Sequence, residues 1–228
     1  MPIPTLIASH QNAPLPQGCE RLFAAVLSDS LDALGYRQQA MSPRMRPLDD
    51  SLTLCGRART GSYAEVAHVA EGVNPYELEI ALVDDLKPGD VVVLACGGSS
   101  RIAPWGGLLA TATHVRGGAG CITDGFVRDV RDIRALKLPV FSVGIAPLDS
   151  KGRGQVVAVD VPVTCDGVLI HPGDLVFGDA DGVVVIPRAI EDAALKLAFE
   201  KIQSESHTMD ELRAGGYLQA IYARYGVL

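Results

Sequence analysis

The stretch Asn74-Pro75-Tyr76-Glu77-Leu78-Glu79-Ile80-Ala81-Leu82-Val83-Asp84-Asp85-Leu86-Lys87-Pro88-Gly89-Asp90-Val91-Val92-Val93-Leu94-Ala95 decides the fold class. Asn74 and Pro75 are helix-start residues, and the pattern stays helical through Leu86. Lys87-Pro88-Gly89-Asp90 is a turn, and 91–95 is an unbroken apolar run suited to a strand covered on both faces. A helix feeding such a strand predicts parallel pairing, and with it an α/β protein.

The same alternation extends outward. Upstream, 19–34 places Leu22, Phe23, Val26, Leu27, Leu31 and Leu34 at helical spacing before the stop at Gly35, and 52–60 reads as a strand. Downstream, Gly97 and Gly98 end the apolar strand and a helix is expected over 108–116. A short strand at 121–123, a helix at 130–136 and a strand at 139–143 follow. Between 156 and 186 the turns Asp166-Gly167, Pro172-Gly173-Asp174 and Asp181-Gly182 cut the chain into short strands, which predicts antiparallel pairing there. Residues 190–214 form a long helix with a wide polar face, expected to contact a neighbouring subunit, and 1–17 form an extended, proline-rich arm. The whole of 1–228 reads as one domain, a length that buries about 70% of the unfolded chain's surface.

With 48% hydrophobic and 21% charged residues the composition is that of an ordinary globular chain. A net charge of -7 and a pI near 5.2, with no Lys/Arg run, argue against nucleic acid as a partner. An anionic ligand must then be held by a few local cations. Cys19, Cys55, Cys96, Cys121 and Cys165 are scattered, odd in number and form no CxxC pair, so they read as reduced residues of a cytoplasmic protein. There is no secretory leader pattern and no apolar run of the roughly 20 residues that cross a bilayer.

No Walker A sequence, no GxGxxG, no HExxH and no GxSxG occurs, and the five histidines (His10, His68, His114, His171, His207) never stand at ligand spacing. Two stretches carry the chemistry. Trp105-Gly106-Gly107-Leu108-Leu109 puts glycines before a helix, where free N–H groups and the helix dipole suit a carboxylate. Some twenty residues later Asp124-Gly125-Phe126-Val127-Arg128-Asp129 lies at an expected strand end. There Arg128 offers a planar fork for a carboxylate or enolate oxygen, and Asp129 offers hard oxygen to a hydrated divalent cation. Spacing alone leaves a plainer reading open: a turn and a helix start, with Asp129 capping, Arg128 solvated and Trp105 a packing anchor.

Trp105 to Ala112 and then Gly118-Ala119-Gly120-Cys121-Ile122-Thr123-Asp124-Gly125-Phe126-Val127-Arg128-Asp129-Val130 resemble the signature of the RraA-like superfamily of class II 4-hydroxy-4-methyl-2-oxoglutarate aldolases. The resemblance continues through His171-Pro172-Gly173-Asp174 and Gly178-Asp179-Ala180-Asp181-Gly182-Val183 to Leu212-Arg213-Ala214-Gly215. It implies an α-β-β-α sandwich around a mixed sheet, of the swivelling-domain type, assembled as a homotrimer or a dimer of trimers with sites at subunit interfaces. It implies that Gly106, Gly107, Leu108 and Leu109 give backbone contacts to a pyruvate-like carboxylate, that Arg128 contacts its oxygens, and that Asp129 ligates Mg²⁺ or Mn²⁺. The implied activity is metal-dependent carbon-carbon cleavage of a 2-oxo acid to pyruvate, as an aldolase or an oxaloacetate decarboxylase. The superfamily also contains ribonuclease regulators, which leaves a non-catalytic binding protein as the other reading. Family aldolases carry an acidic residue at the position of Gly107 and a glutamate from a partner's terminal helix, for which Glu205, with Glu200 in reserve, is the candidate here.

Overall fold

The computed structural model describes residues 14–226, so most of the expected N-terminal arm lies outside the described residues. The strands are β1 (Arg46–Pro47), β2 (Leu54–Glu65), β3 (Asp90–Ala95), β4 (Gly120–Val127), β5 (Val140–Ile145), β6 (Gly154–Val159), β7 (Val163–Cys165), β8 (Val168–Ile170), β9 (Leu175–Asp179) and β10 (Gly182–Ile186). The helices are α1 (Ala24–Ala33), α2 (Glu77–Asp84), α3 (Gly107–Val115), α4 (Val130–Leu136), α5 (Glu191–Arg213) and α6 (Leu218–Tyr225).

The main sheet runs β1-β5-β4-β3-β2-β9-β10, with β6 also paired to β2. Strands β2, β3, β4 and β5 are mutually parallel, while β1, β6, β9 and β10 pair antiparallel, as the two sequence patterns predict. The long strand β2 joins the two halves: β3 flanks one edge, and the other is shared by β9 along 54–57 and β6 along 61–65. Arg46 on β1 donates to the carbonyls of Ala180 and Asp181 at the β9–β10 turn, so the two ends of the sheet nearly meet. This is the mixed α/β fold implied by the resemblance.

Every residue of β3 is buried. Val92 and Leu94 face a core with α2, α3 and α4, and Val91, Val93 and Ala95 face one built with β7 and β8. A third core packs α1 and α5 on β9 and β10. The unbroken apolar run is therefore the mark of a strand covered on both sides.

Some boundaries differ from those expected. The helix read at 19–34 is a 3-10 turn (Cys19–Arg21), an extended Leu22 and Phe23, and then α1. The Asp179 carboxylate accepts the Ala24 N–H at 2.8 Å, so α1 is capped by a strand 155 residues away and starts there. β4 runs on through Val127, with an irregularity between Thr123 and Phe126, so 124–127 belong to the strand. The helix read at 190–214 is α5, and α6 follows it unforeseen. Among the described residues no helix is long and apolar enough to cross a membrane.

Arg59 on β2 has no exposed side-chain surface. Its guanidinium donates to both oxygens of Asp160 (2.8 and 2.9 Å) and to Asp85 Oδ2 (3.1 Å), and lies 3.6 Å from Asp90. Truncation would remove the buried cation that these carboxylates share, and Arg59→Ala is expected to lower unfolding free energy by about 3–5 kcal/mol. Urea denaturation checks this; a variant within about 1 kcal/mol of the parent would show that the network is not structural.

Candidate active site

The site is built where β3 and β4 end. Asp124, 2% exposed, accepts the N–H groups of Cys96 (2.5 Å) and Gly98 (3.0 Å), holding the loop that leaves β3 against β4. The far end of that loop is stitched to the same strand: Trp105 bridges Val127, and the Arg128 N–H donates to the Trp105 carbonyl at 2.9 Å. Trp105 is fully buried and does anchor the packing. The next two residues, Gly106 and Gly107, are thereby laid beside Arg128 and Asp129.

Asp129 does cap a helix, but a different one from that expected. It precedes α4 in the left-handed conformation (φ 56°) with no side-chain bond to α4, and its Oδ2 accepts the Gly107 N–H at 3.0 Å, at the start of α3. A Cβ on Gly106 would stand 2.8 Å from that oxygen and 3.2 Å from Arg128 Nε, so any side chain there would push Asp129 and Arg128 out of these positions. The N–H groups of Leu108 and Leu109, in the first turn of α3, have no intrahelical acceptor. Gly106, Leu108, Leu109, Arg128 and Asp129 all line one pocket of about 330 Å³, and Gly107 supports it through its bond to Asp129. Arg128 is not simply solvated: its guanidinium lies 3.9 Å from Asp129 and 3.7 Å from Asp149.

The opposite wall escaped the sequence reading. It consists of Tyr76, Glu79 and Ile80 from the start of α2 and Asp149 and Ser150 after β5. The Tyr76 hydroxyl donates to Asp149 (3.0 Å), and the Tyr63 hydroxyl donates to Glu79 Oε1 (2.7 Å). Burial lifts the Glu79 carboxyl to about 7; the Asp149 carboxylate adds to that, while the Tyr63 bond and Arg128 oppose it. Asp149 titrates below its ordinary value: burial pushes it up, but the Lys151 and Ser150 N–H groups, Tyr76 and Arg128 outweigh this. A clue to Glu79 did exist, because its spacing puts it with Leu82 and Val83 on the inward-facing stripe of α2.

No group of three His, Cys, Asp or Glu side chains converges for a metal among the described residues. The chemistry of the available donors still suits a hydrated hard cation, which needs only one or two carboxylates. Asp129 is half exposed, and Asp132 lies close by, its Oδ2 3.5 Å from where a Cβ at Gly107 would be. Of the glutamates considered for a partner's contribution, Glu205 stands 3.7 Å from Lys201 and Glu200 4.0 Å from Lys196 on α5 of the same chain.

A model of the RraA-like family, described as Aldolase/RraA, matches residues 24–185. A protein of Halalkalibacterium halodurans named "Putative 4-hydroxy-4-methyl-2-oxoglutarate aldolase" is 36% identical over 175 residues, 77% of each chain. Among solved structures, Streptomyces coelicolor RraAS2, described as an unusual member of the RNase ES inhibitor RraA protein family, is 30% identical with a TM-score of 0.75, covering 86% of this chain and 98% of that one. A protein of Pseudomonas syringae pv. tomato superposes with a TM-score of 0.79 at 28% identity, over 92% of this chain and 98% of that one.

The raised carboxyl has a pH signature. Below about 4.5 Glu79 is protonated whether the chain is folded or not; between 4.5 and about 7 only the folded state keeps the proton, so stability falls as pH rises through that window. Relative to Glu79→Gln, the parent is expected to lose up to about 3 kcal/mol across it. Urea unfolding at a series of pH values checks this, and parallel profiles for the two proteins would contradict it.

Proposed function

Because this chain belongs to the RraA-like aldolase family, we propose that it is a divalent-metal-dependent lyase that cleaves a carbon-carbon bond of a small 2-oxo acid to release pyruvate. The observation that carries this reading is the convergence of the α3 N-terminus, Arg128 and Asp129 on one pocket with a buried, near-neutral acid in its far wall. The names of the relatives support an aldolase; decarboxylation of oxaloacetate is a side reaction that the same centre would support.

The substrate carboxylate would accept the Leu108 and Leu109 N–H groups, where the helix dipole favours negative charge. Asp129, with Asp132 beside it, would hold Mg²⁺ or Mn²⁺, which when bound draws electrons toward the 2-oxo oxygen. In the aldol cleavage Glu79 takes the proton of the 4-hydroxyl and the C3–C4 bond breaks. Its electron pair passes to C3 as an enolate, and the carbonyl product leaves. Arg128 stabilises the enolate oxygen through charge-assisted hydrogen bonds. Glu79 then returns its proton to C3, giving pyruvate, so the carboxylate is regenerated. Asp132 offers a carboxylate on the face where family aldolases have one at the position of Gly107.

We take the working assembly to be a homotrimer or a dimer of trimers, which the family likeness implies. The likeness to an RraA structure supports a second reading, a regulatory binding protein with little catalysis.

The test is pyruvate release from a panel of 2-oxo acids, both dicarboxylic and with uncharged tails, with Mg²⁺ or Mn²⁺ and then with EDTA, corrected for the reaction of metal alone. Turnover that EDTA abolishes is expected. Asp129→Ala should reduce it by about 100-fold or more, with a melting temperature lowered only by the few degrees that loss of the bond to the Gly107 N–H explains. Full activity in that variant would remove Asp129 from the site, and failure of the whole panel, with oxalate not bound, would favour the regulatory reading.

A further inference from the structure

We propose that Cys19 and Cys55 are a modification site, at which a hydroperoxide forms a reversible disulfide that fastens the segment before α1 to β2. The fold sorts the five cysteines into two groups. Cys96, Cys121 and Cys165 are buried, and burial pushes each of their thiols up, which makes them poor nucleophiles. Cys19 and Cys55 are half-buried and hydrogen-bonded to each other, against the core that packs α1 and α5 on β9 and β10. Cys19 comes from the 3-10 turn and Cys55 from β2, so only the fold brings them together. Neither lines the pocket at Arg128, so this chemistry does not rest on the lyase reading.

The surroundings make the two thiols unequal. The bond from Cys55, with help from the Arg57 guanidinium, holds the Cys19 thiol below its ordinary value, although burial, Glu20 and Glu191 oppose this. The same bond and burial push Cys55 up, so it stays protonated. Arg57 is kept beside the pair by Glu191 (2.8 Å) and the Pro14 carbonyl (2.9 Å). Cys19 therefore supplies the attacking thiolate and Cys55 the resolving thiol. The Cys19 sulfur attacks one peroxide oxygen, the O–O bond breaks, and the other oxygen leaves as hydroxide or alkoxide and takes up a proton. Cys55 then attacks the sulfur of the Cys19 sulfenic acid, the S–O bond breaks, and the hydroxyl leaves as water with the Cys55 proton. The peroxide gains the electron pair that the two thiols lose. The disulfide adds a covalent link to contacts that already hold this segment, namely Arg57 on the Pro14 carbonyl and the Arg21 guanidinium 5.5 Å over the Phe199 ring.

The full chain is treated with hydrogen peroxide, alkylated with N-ethylmaleimide without denaturant, and digested with trypsin for mass spectrometry without reductant. The expected product is a linked pair of peptides ending at Arg21 and Arg57, absent after dithiothreitol, from a chain that runs at monomer mass in non-reducing denaturing electrophoresis. Cys55→Ser removes the resolving thiol, so Cys19 should persist as the sulfenic acid and take up about tenfold more dimedone than in the parent. The crosslinked parent should melt a few degrees above its reduced form. Free Cys19 and Cys55 after peroxide, over-oxidation of Cys19 without the link, or a link between chains overturns the site. Dimedone uptake that Cys55→Ser does not raise removes Cys19 as the attacking thiol, and an unchanged melting temperature overturns the fastening.

Discussion

The buried guanidinium of Arg59 constrains the rest of the molecule. A charge without access to water must be paired, and the four groups involved lie on separate elements: Arg59 on β2, Asp85 beyond α2, Asp90 opening β3 and Asp160 closing β6. β2 is also the strand at which parallel and antiparallel pairing meet. The network therefore fixes how α2 sits on the sheet, and α2 carries Tyr76, Glu79 and Ile80, one wall of the pocket. Packing alone would allow α2 to slide; a guanidinium held by three carboxylates on separate elements does not.

The other wall depends on close backbone approach. Asp124 holds the start of the 96–106 loop, the Trp105 carbonyl holds its end, and the absence of a side chain at Gly106 lets that end lie against Arg128 and Asp129. Asp129 then binds the first N–H of α3 from a left-handed conformation, which costs on the order of 1 kcal/mol and is retained where surrounding contacts enforce it. The α3 amides and the Asp129 carboxylate, which we propose bind an anion and a cation, are thus positioned by each other, the kind of preorganisation that electrostatic catalysis requires.

Glu79 reverses the usual economy of a core. An inward-facing apolar residue on α2 would pack well, yet the chain keeps a carboxyl there and supports it with the Tyr63 hydroxyl. Its proton affinity near neutrality, across the pocket from the Arg128 guanidinium, matches what the proposed proton carrier needs. Asp132 on α4 likewise brings a carboxylate to the vicinity of Gly107, where α3 itself has none.

Much of this was legible in the residues. Periodicity located β3, α3, α4 and α5 within a residue or two, turn dipeptides marked the antiparallel half, and the motifs around Trp105 and Arg128 marked one wall of the pocket, because each of these signals is carried by neighbours along the chain. Partners distant in sequence decided the rest. The start of α1 is set by Asp179, β4 runs beyond Thr123 because β5 pairs with its end, and Asp129 caps α3 instead of its own helix. Glu79, Tyr63 and Asp149 come from α2, β2 and the segment after β5, and only the folded sheet brings them to face Arg128. Local sequence determines which backbone conformations are cheap, whereas burial and charge pairing depend on which distant groups share a space, and that only the tertiary structure supplies.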